Sequence, residues 1–195
     1  GRTLAAMSGF LGGLPPIRAV QLNGSLGDNL AISPIEILRR VVRSAEGEAV
    51  PIIAPLLVDS AEAAATILRQ PELSRAFEAF DDLTVACLSA GSWEPRTSQL
   101  VDYLEESERD AMAEAGAVGE LAGIFLDAAG NPLEQLANRM IRISLDQLSR
   151  VPLKVVLAEG AAKAPILLAA IRAHLINALV IDRSLADELL RLSDG

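Results

Sequence analysis

Leu153–Leu190 reads LKVVLAEGAAKAPILLAAIRAHLINALVIDRSLADELL. The run Leu153–Leu157 has the apolar, β-branched character of a buried strand and stops at Glu159-Gly160. Lys163 falls in the first turn of the helix expected next, and Ala178–Ile181 is a second apolar strand ending on Asp182. Strand, glycine turn, helix and strand form a βαβ unit. Its strands run parallel, and the strand carboxyl ends share one edge with the helix N-terminus. That edge gathers backbone N–H donors and the positive end of a helix dipole, so Gly160 and Lys163 mark a candidate anion site.

The same alternation extends upstream. Arg18–Leu22 reads as a strand that ends in the donor-rich loop Asn23-Gly24-Ser25-Leu26-Gly27. Ser33-Pro34-Ile35-Glu36 has the form of a capping box with proline at the first helical position, and Gly47 is placed to end that helix. Val50–Ala54 is the next expected strand. Helices opening at Ser60 and at Pro71 follow, and then the strand Leu83–Leu88. A polar helical stretch over Ser98–Ala115 leads to the apolar strand Leu121–Leu126 and a shorter one at Ile141–Leu145. Strands alternating with helices, with no low-complexity linker between them, predict one doubly wound α/β domain over 1–195 with a mostly parallel sheet.

Composition agrees with that class. Of the 195 residues, 51% are hydrophobic and the mean hydropathy is +0.34, as expected when strands are buried on both faces. The longest uncharged run, Leu4–Ile17, is broken by Gly9, Gly12, Gly13, Pro15 and Pro16 and lacks a small-residue cleavage site, which argues against a secretion signal. One cysteine (Cys87) and one histidine (His174) exclude a disulfide framework and a thiolate or imidazole metal cluster. Cys87 sits in an apolar run and is expected to be a buried structural thiol; His174 is expected to be a packed or rim residue. The net charge of −9, without a Lys/Arg cluster, gives this chain little attraction for a nucleic-acid backbone.

Four places have the residue types for ligand chemistry. Lys163 after Gly160 supplies a point charge. Asn23 and Gly24 offer polar groups suited to sugar hydroxyls, without the spacing of a P-loop or a dinucleotide fingerprint. Arg2 and Thr3, before a helix expected over Leu4–Phe10, offer a guanidinium and a hydroxyl. Glu120 and Asp127 bracket the expected strand Leu121–Leu126. No nucleophile–base set and no resident cofactor or metal is legible.

In order and spacing these pieces resemble the effector-binding domain of SorC-type sugar-binding bacterial transcriptional regulators. Gly1-Arg2-Thr3-Leu4 is similar to the end of that family's Gly-x-Gly-Arg-Thr-Leu loop. The likeness continues through Leu22–Gly27 and Ile53-Ala54-Pro55-Leu56, and is strongest at Gly116-Ala117-Val118-Gly119-Glu120-Leu121-Ala122-Gly123. It then runs on through Phe125-Leu126-Asp127, Ala158–Lys163 and Asn177–Asp182.

The resemblance implies a fold similar to sugar-phosphate isomerases and glucosamine-phosphate deaminases. It also implies a longer cytoplasmic regulator whose helix-turn-helix segment and first domain strand precede this chain. Such a protein binds a sugar or sugar phosphate, contacts DNA through the missing segment and assembles as a dimer or tetramer. Carried over, Arg2, Thr3, Asn23, Gly24, Glu120, Asp127, Gly160 and Lys163 line the effector pocket. Glu159 stands where the family usually has glycine, which points to a less charged sugar. The rival readings are a sugar-phosphate isomerase or deaminase, with Glu120 or Asp127 as base, and a purely structural oligomerisation domain.

Overall fold

The computed structural model describes residues 1–27 and 33–193. In chain order the helices are α1 (Arg2–Ser8), α2 (Pro34–Ala45), α3 (Ala61–Leu68), α4 (Pro71–Glu78), α5 (Glu106–Glu114), α6 (Leu145–Arg150), α7 (Ala164–Arg172) and α8 (Arg183–Ser193). The strands are β1 (Arg18–Val20), β2 (Glu48–Val50), β3 (Val85–Leu88), β4 (Ala90–Ser92), β5 (Ala117–Leu121), β6 (Ile124–Asp127), β7 (Leu153–Ala158) and β8 (Ala178–Ile181). They divide between two compact units, Gly1–Leu83 with Asn138–Arg150, and Thr84–Ala137 with Val151–Gly195.

In the first unit β1 and β2 pair in parallel, with Ala19 opposite Ala49. The connecting helix α2 starts as its sequence dictates: Ser33 Oγ accepts from the Glu36 amide at 3.1 Å, behind Pro34. Glu36 in turn receives Arg39 at 2.7 Å and Arg40 at 2.8 Å, and these guanidiniums lower its pKa to about 2. The helix closes on Glu46 in the left-handed region, one residue before Gly47.

Two strand expectations shift here. The ladder pairing of β2 ends at Val50, not Ala54. Beyond it the Gln21 side chain takes over, its amide bonding the backbone N–H and C=O of Ile52 at 3.3 Å each. Ile141–Leu145 is not a strand either. Met140 and Arg142 make isolated bridges to Leu57 and Asn23, and Ser144 Oγ then accepts from Gln147 N at 3.1 Å to open α6.

The second unit contains the βαβ unit of the opening stretch. β3, β7 and β8 form a parallel sheet in the order β3-β7-β8, and α7 makes the crossover from β7 to β8. Buried Ala164, Ile166, Leu167, Ala169 and Ala170 form the inner face of α7. Each large aliphatic side chain so buried contributes roughly 1.5–3 kcal/mol. β3 departs from the expectation of strands covered on both faces. Ala86 and Leu88 turn inward while Val85 and Cys87 are exposed, so Cys87 is not a buried thiol.

A second correction concerns Leu121–Leu126. Instead of one strand, the segment is a hairpin in which β5 turns back into β6 through Ala122-Gly123. Both turn residues have positive φ, 52° and 80°, the sign required at the two centre positions of a type I′ turn. β4 completes this antiparallel sheet, pairing Gly91 with Glu120. The polar stretch 98–115 also breaks in two, a 3₁₀ turn at Leu100–Tyr103 and then α5, which opens with a capping box between Glu105 and Glu108. The sum is a mixed α/β architecture with parallel sheets flanked by helices.

Candidate functional site

The candidate residues fall into two sets. Arg2, Thr3, Asn23 and Gly24 belong to the first unit; Glu120, Asp127, Gly160 and Lys163 belong to the second.

In the first unit, Arg2 and Thr3 open α1, with Arg2 exposed and Thr3 half-buried. The Asn23 loop is sewn in place by its backbone: Gly24 N donates to Ile141 O at 2.8 Å, Ser25 N to Ala54 O at 2.9 Å and Leu56 N to Ser25 O at 2.9 Å. Gly24 is required for that approach, since a Cβ there would lie 2.4 Å from the Pro55 carbonyl oxygen. Gln21 Nε2 donates to the Asn23 carbonyl at 2.6 Å, which fixes the loop from beneath. The polar side chains of this rigid loop are unspent. The Asn23 amide makes no hydrogen bond to any described residue, and Ser25 Oγ is buried without a partner.

In the second unit, Glu120 lies at the hairpin end of β5, half-buried. Its Oε1 accepts from Ser98 Oγ at 2.9 Å and its Oε2 from Gly123 N at 3.0 Å. Loss of water raises the pKa of its carboxyl; the two hydrogen bonds and the charge of Lys163 work against that rise. Lys163 is half-buried and caps α7, after a 3₁₀ turn over Ala161–Lys163 rather than inside the α-helix as the sequence suggested. Gly160, at φ 88°, precedes it, and Lys163 N donates to Gly160 O at 3.1 Å. The charge of Lys163 thus reaches Glu120, while Gly160 is tied to Lys163 through the backbone of the turn.

Asp127 lies elsewhere. It pairs with Ala117 at the end of the hairpin away from the Ala122-Gly123 turn, and its oxygens accept from Asn131 N and Nδ2, both at 2.8 Å. Those bonds hold its pKa below the usual carboxylate range.

Two contributors had not been singled out from sequence as site residues. Ser98 holds the Glu120 carboxyl, a long-range partnership that local pattern does not reveal. Asp182 accepts from Gly160 N and from Leu185 N, both at 3.2 Å, and from Ser184 Oγ at 2.9 Å. It thus caps α8 and fixes the lysine turn together. The second role is invisible locally, but Asp-x-Ser ahead of an apolar helix is a readable cap signal. Among the described residues no group of three His, Cys, Asp or Glu is placed to hold a metal ion, and no helix is long and apolar enough to cross a membrane.

The family model described as "Putative sugar-binding domain" (Sugar-bind) matches residues 1–191. The chain belongs to this family. It is 31% identical to the transcriptional regulator LsrR of Enterobacter sp. (strain 638) over 193 residues, 96% of this chain and 57% of that protein. To the erythritol catabolism regulatory protein EryD of Brucella abortus (strain 2308) it is 28% identical, covering 100% of this chain and 63% of the other. The chain thus spans less than two thirds of the length of these relatives.

Among solved structures, the full-length sorbitol operon regulator SorC from Klebsiella pneumoniae matches with a TM-score of 0.88 at 19% identity, over 97% of this chain and 64% of that one. A transcriptional regulator from Streptococcus pneumoniae TIGR4 matches with a TM-score of 0.88 at 22% identity, over 100% of this chain and 76% of the other. Those likenesses establish the fold.

Proposed function

We propose that this sugar-binding domain is the effector sensor of a cytoplasmic bacterial transcriptional regulator. A sugar or sugar phosphate binds here, and its occupancy biases DNA binding by a segment outside this chain and the assembly of a dimer or tetramer. The observation that carries the proposal lies in the first unit: a backbone-anchored loop presents an Asn23 amide that bonds no described residue and a buried Ser25 hydroxyl without a partner. Hydroxyls and amides read sugar hydroxyls, and an ammonium beside a carboxylate offers both a donor and an acceptor. Arg2, Thr3, Asn23 and Gly24 are the proposed contacts of the first unit, and Glu120, Gly160 and Lys163 those of the second. Asp127, whose oxygens accept from Asn131 at the far end of the hairpin, is the remaining proposed contact of the second unit.

A micromolar effector represents about −8 kcal/mol of binding, of which a differential of about 1–3 kcal/mol suffices to shift the DNA-binding equilibrium. Calorimetric titration with pentoses, hexoses and their phosphates tests the reading. One of them binds the wild-type chain, and Asn23→Ala and Lys163→Gln each weaken it about tenfold, the effect of one lost charge-assisted or neutral hydrogen bond. Absence of binding across the panel sinks the sensor reading in favour of a structural domain. Turnover of a sugar phosphate by the chain brings back the isomerase or deaminase reading with Glu120 as base.

A further inference from the structure

Within the first unit Asn23 has a cross-strand neighbour, Arg142, opposite it in an isolated antiparallel bridge. The hydrogen bonds flank this pair instead of linking it: Ile143 N donates to Leu22 O at 2.7 Å and Gly24 N to Ile141 O at 2.8 Å. A pair of that kind has the closer of the two antiparallel spacings, with Cα atoms about 4.5 Å apart and both side chains on one face. Ile141 and Ile143, each 0% exposed, seat the segment from its other face, and Arg142 between them is half-buried beside Asn23. The loop keeps the same alternation. Gln21 N and Ser25 N bond Val50 O at 3.0 Å and Ala54 O at 2.9 Å, whereas Leu22 O and Gly24 N bond the Arg142 segment. Gln21, Asn23 and Ser25 therefore project from one face of an extended chain.

Gln21 is spent on the backbone of Ile52 and Asn23. The same face also carries the Asn23 amide, the Ser25 hydroxyl and the Arg142 guanidinium, whose Nη1 is oriented by donation to Ile143 O at 2.9 Å. Their chemistries are complementary. A guanidinium only donates, and its planar fork fits two oxygens side by side. An amide donates through Nδ2 and accepts through Oδ1. An oxyanion satisfies the fork but brings no proton for Oδ1. Hydroxyls on neighbouring carbons satisfy both, since their oxygens accept from the fork and one of their protons goes to Asn23 Oδ1.

We infer that Arg142 is a sugar-contact residue and that, with Asn23, it selects a ligand carrying hydroxyls on neighbouring carbons. The inference rests on the sensor reading and deepens it by naming the side-chain pair that decides which sugar fits. A site built around such a hydroxyl pair rejects a sugar that lacks one of them, because the polar groups aligned on it then lose their partner.

Calorimetric titration of the whole chain tests it, with ribose, xylose, glucose and galactose, their phosphates and the single-deoxy forms of each sugar that binds. Denaturant midpoints verify that each variant is folded. Arg142→Ala weakens binding of the parent sugar about tenfold, and Arg142→Lys nearly as much, since an ammonium has the charge without the fork. One deoxy form, lacking the hydroxyl that Arg142 meets, binds wild type and Arg142→Ala alike, while the others keep the gap. Asn23→Ala combined with Arg142→Ala costs less than the two losses multiplied together. Equal binding of the parent sugar by wild type and Arg142→Ala overturns the inference and leaves the sensor reading standing. So does an equal loss for every deoxy form, which marks a site distorted from a distance. Binding of the phosphates alone, with Arg142→Lys as good as wild type, makes the residue an anion contact and also overturns it. With no probe bound by the wild type, the sensor reading falls and this inference with it.

Discussion

Glu120 combines burial with two donated hydrogen bonds, and its titration runs opposite to that of the other carboxyls whose pKa is perturbed. Because burial raises its folded-state pKa above the unfolded value, its contribution to stability is fully present below the unfolded pKa and is lost as pH rises through the folded one. Glu36, Asp127 and Asp182 have lowered pKa values, so their contributions are present above the unfolded pKa and fade as pH falls through the folded one. Glu120→Gln removes the ionisation while keeping the shape. The stability difference between Glu120→Gln and wild type, from denaturant midpoints between about pH 4 and pH 8, accordingly moves in favour of the variant as pH rises above the usual carboxylate range. Ser98→Ala strips one partner from the same carboxyl. It costs about 1–3 kcal/mol at neutral pH, and the double variant with Glu120→Gln costs less than the two single changes added. A pH-independent difference and additive costs show the network to be energetically idle.

At the scale of elements, stability is held back at two backbone positions. α7 ends in a Schellman motif, Leu175 N donating to Ala170 O and His174 N to Ile171 O, both at 3.0 Å, with His174 in the left-handed region at φ 55°. The hairpin turn places Ala122 in that region as well. Glycine at 174 and asparagine at 122 each relieve the strain and raise stability by about 0.5–1 kcal/mol, measured as a denaturant midpoint shift at constant slope. Gly119→Ala goes the other way. At φ 156° its new Cβ would stand 2.3 Å from the Gly91 carbonyl oxygen and 2.8 Å from Ile166 Cβ, so the β4-β5 pairing or the seat of α7 must give, and the variant loses about 1–3 kcal/mol or more.

These elements also show what sequence can and cannot display. The unit β7-α7-β8 was readable because an apolar strand, a glycine stop and a 3.6-period helix are local signals, and so were the serine caps of α2 and α3. The hairpin was hidden because Leu121-Ala122-Gly123-Ile124 has the apolar density of a strand, and only the backbone angles reveal its turn. Asn23, Lys163 and Glu120 were legible as polar residues in structured places. Ser98, the Gln21 bridge and the Gly160–Asp182 tie were not, because each joins residues distant in the chain.

For the whole molecule, the charge of −9 sets a test of which sugar is sensed. That field disfavours an anionic ligand overall, and Glu159, exposed at the end of β7, adds to the opposition next to the lysine turn. Lys163 is the local counterweight, but Glu120 already draws on its charge. A neutral sugar avoids the conflict, so at equal concentration a free sugar raises the melting temperature more than its phosphate does. With ligand at about a hundred times its dissociation constant, linkage supplies about 2.7 kcal/mol, an upward shift of roughly 5–10 °C for a chain of this size. Replacing Glu159 by glycine removes one repelling charge from the lysine turn and narrows the gap, since it helps the phosphate and leaves the neutral sugar unaffected. A phosphate that outperforms its free sugar in the wild type, with no response to Glu159→Gly, shows that the anion is held away from the Gly160–Lys163 turn. The effector's charge would then have to be met by other residues, with Arg2 the first to test.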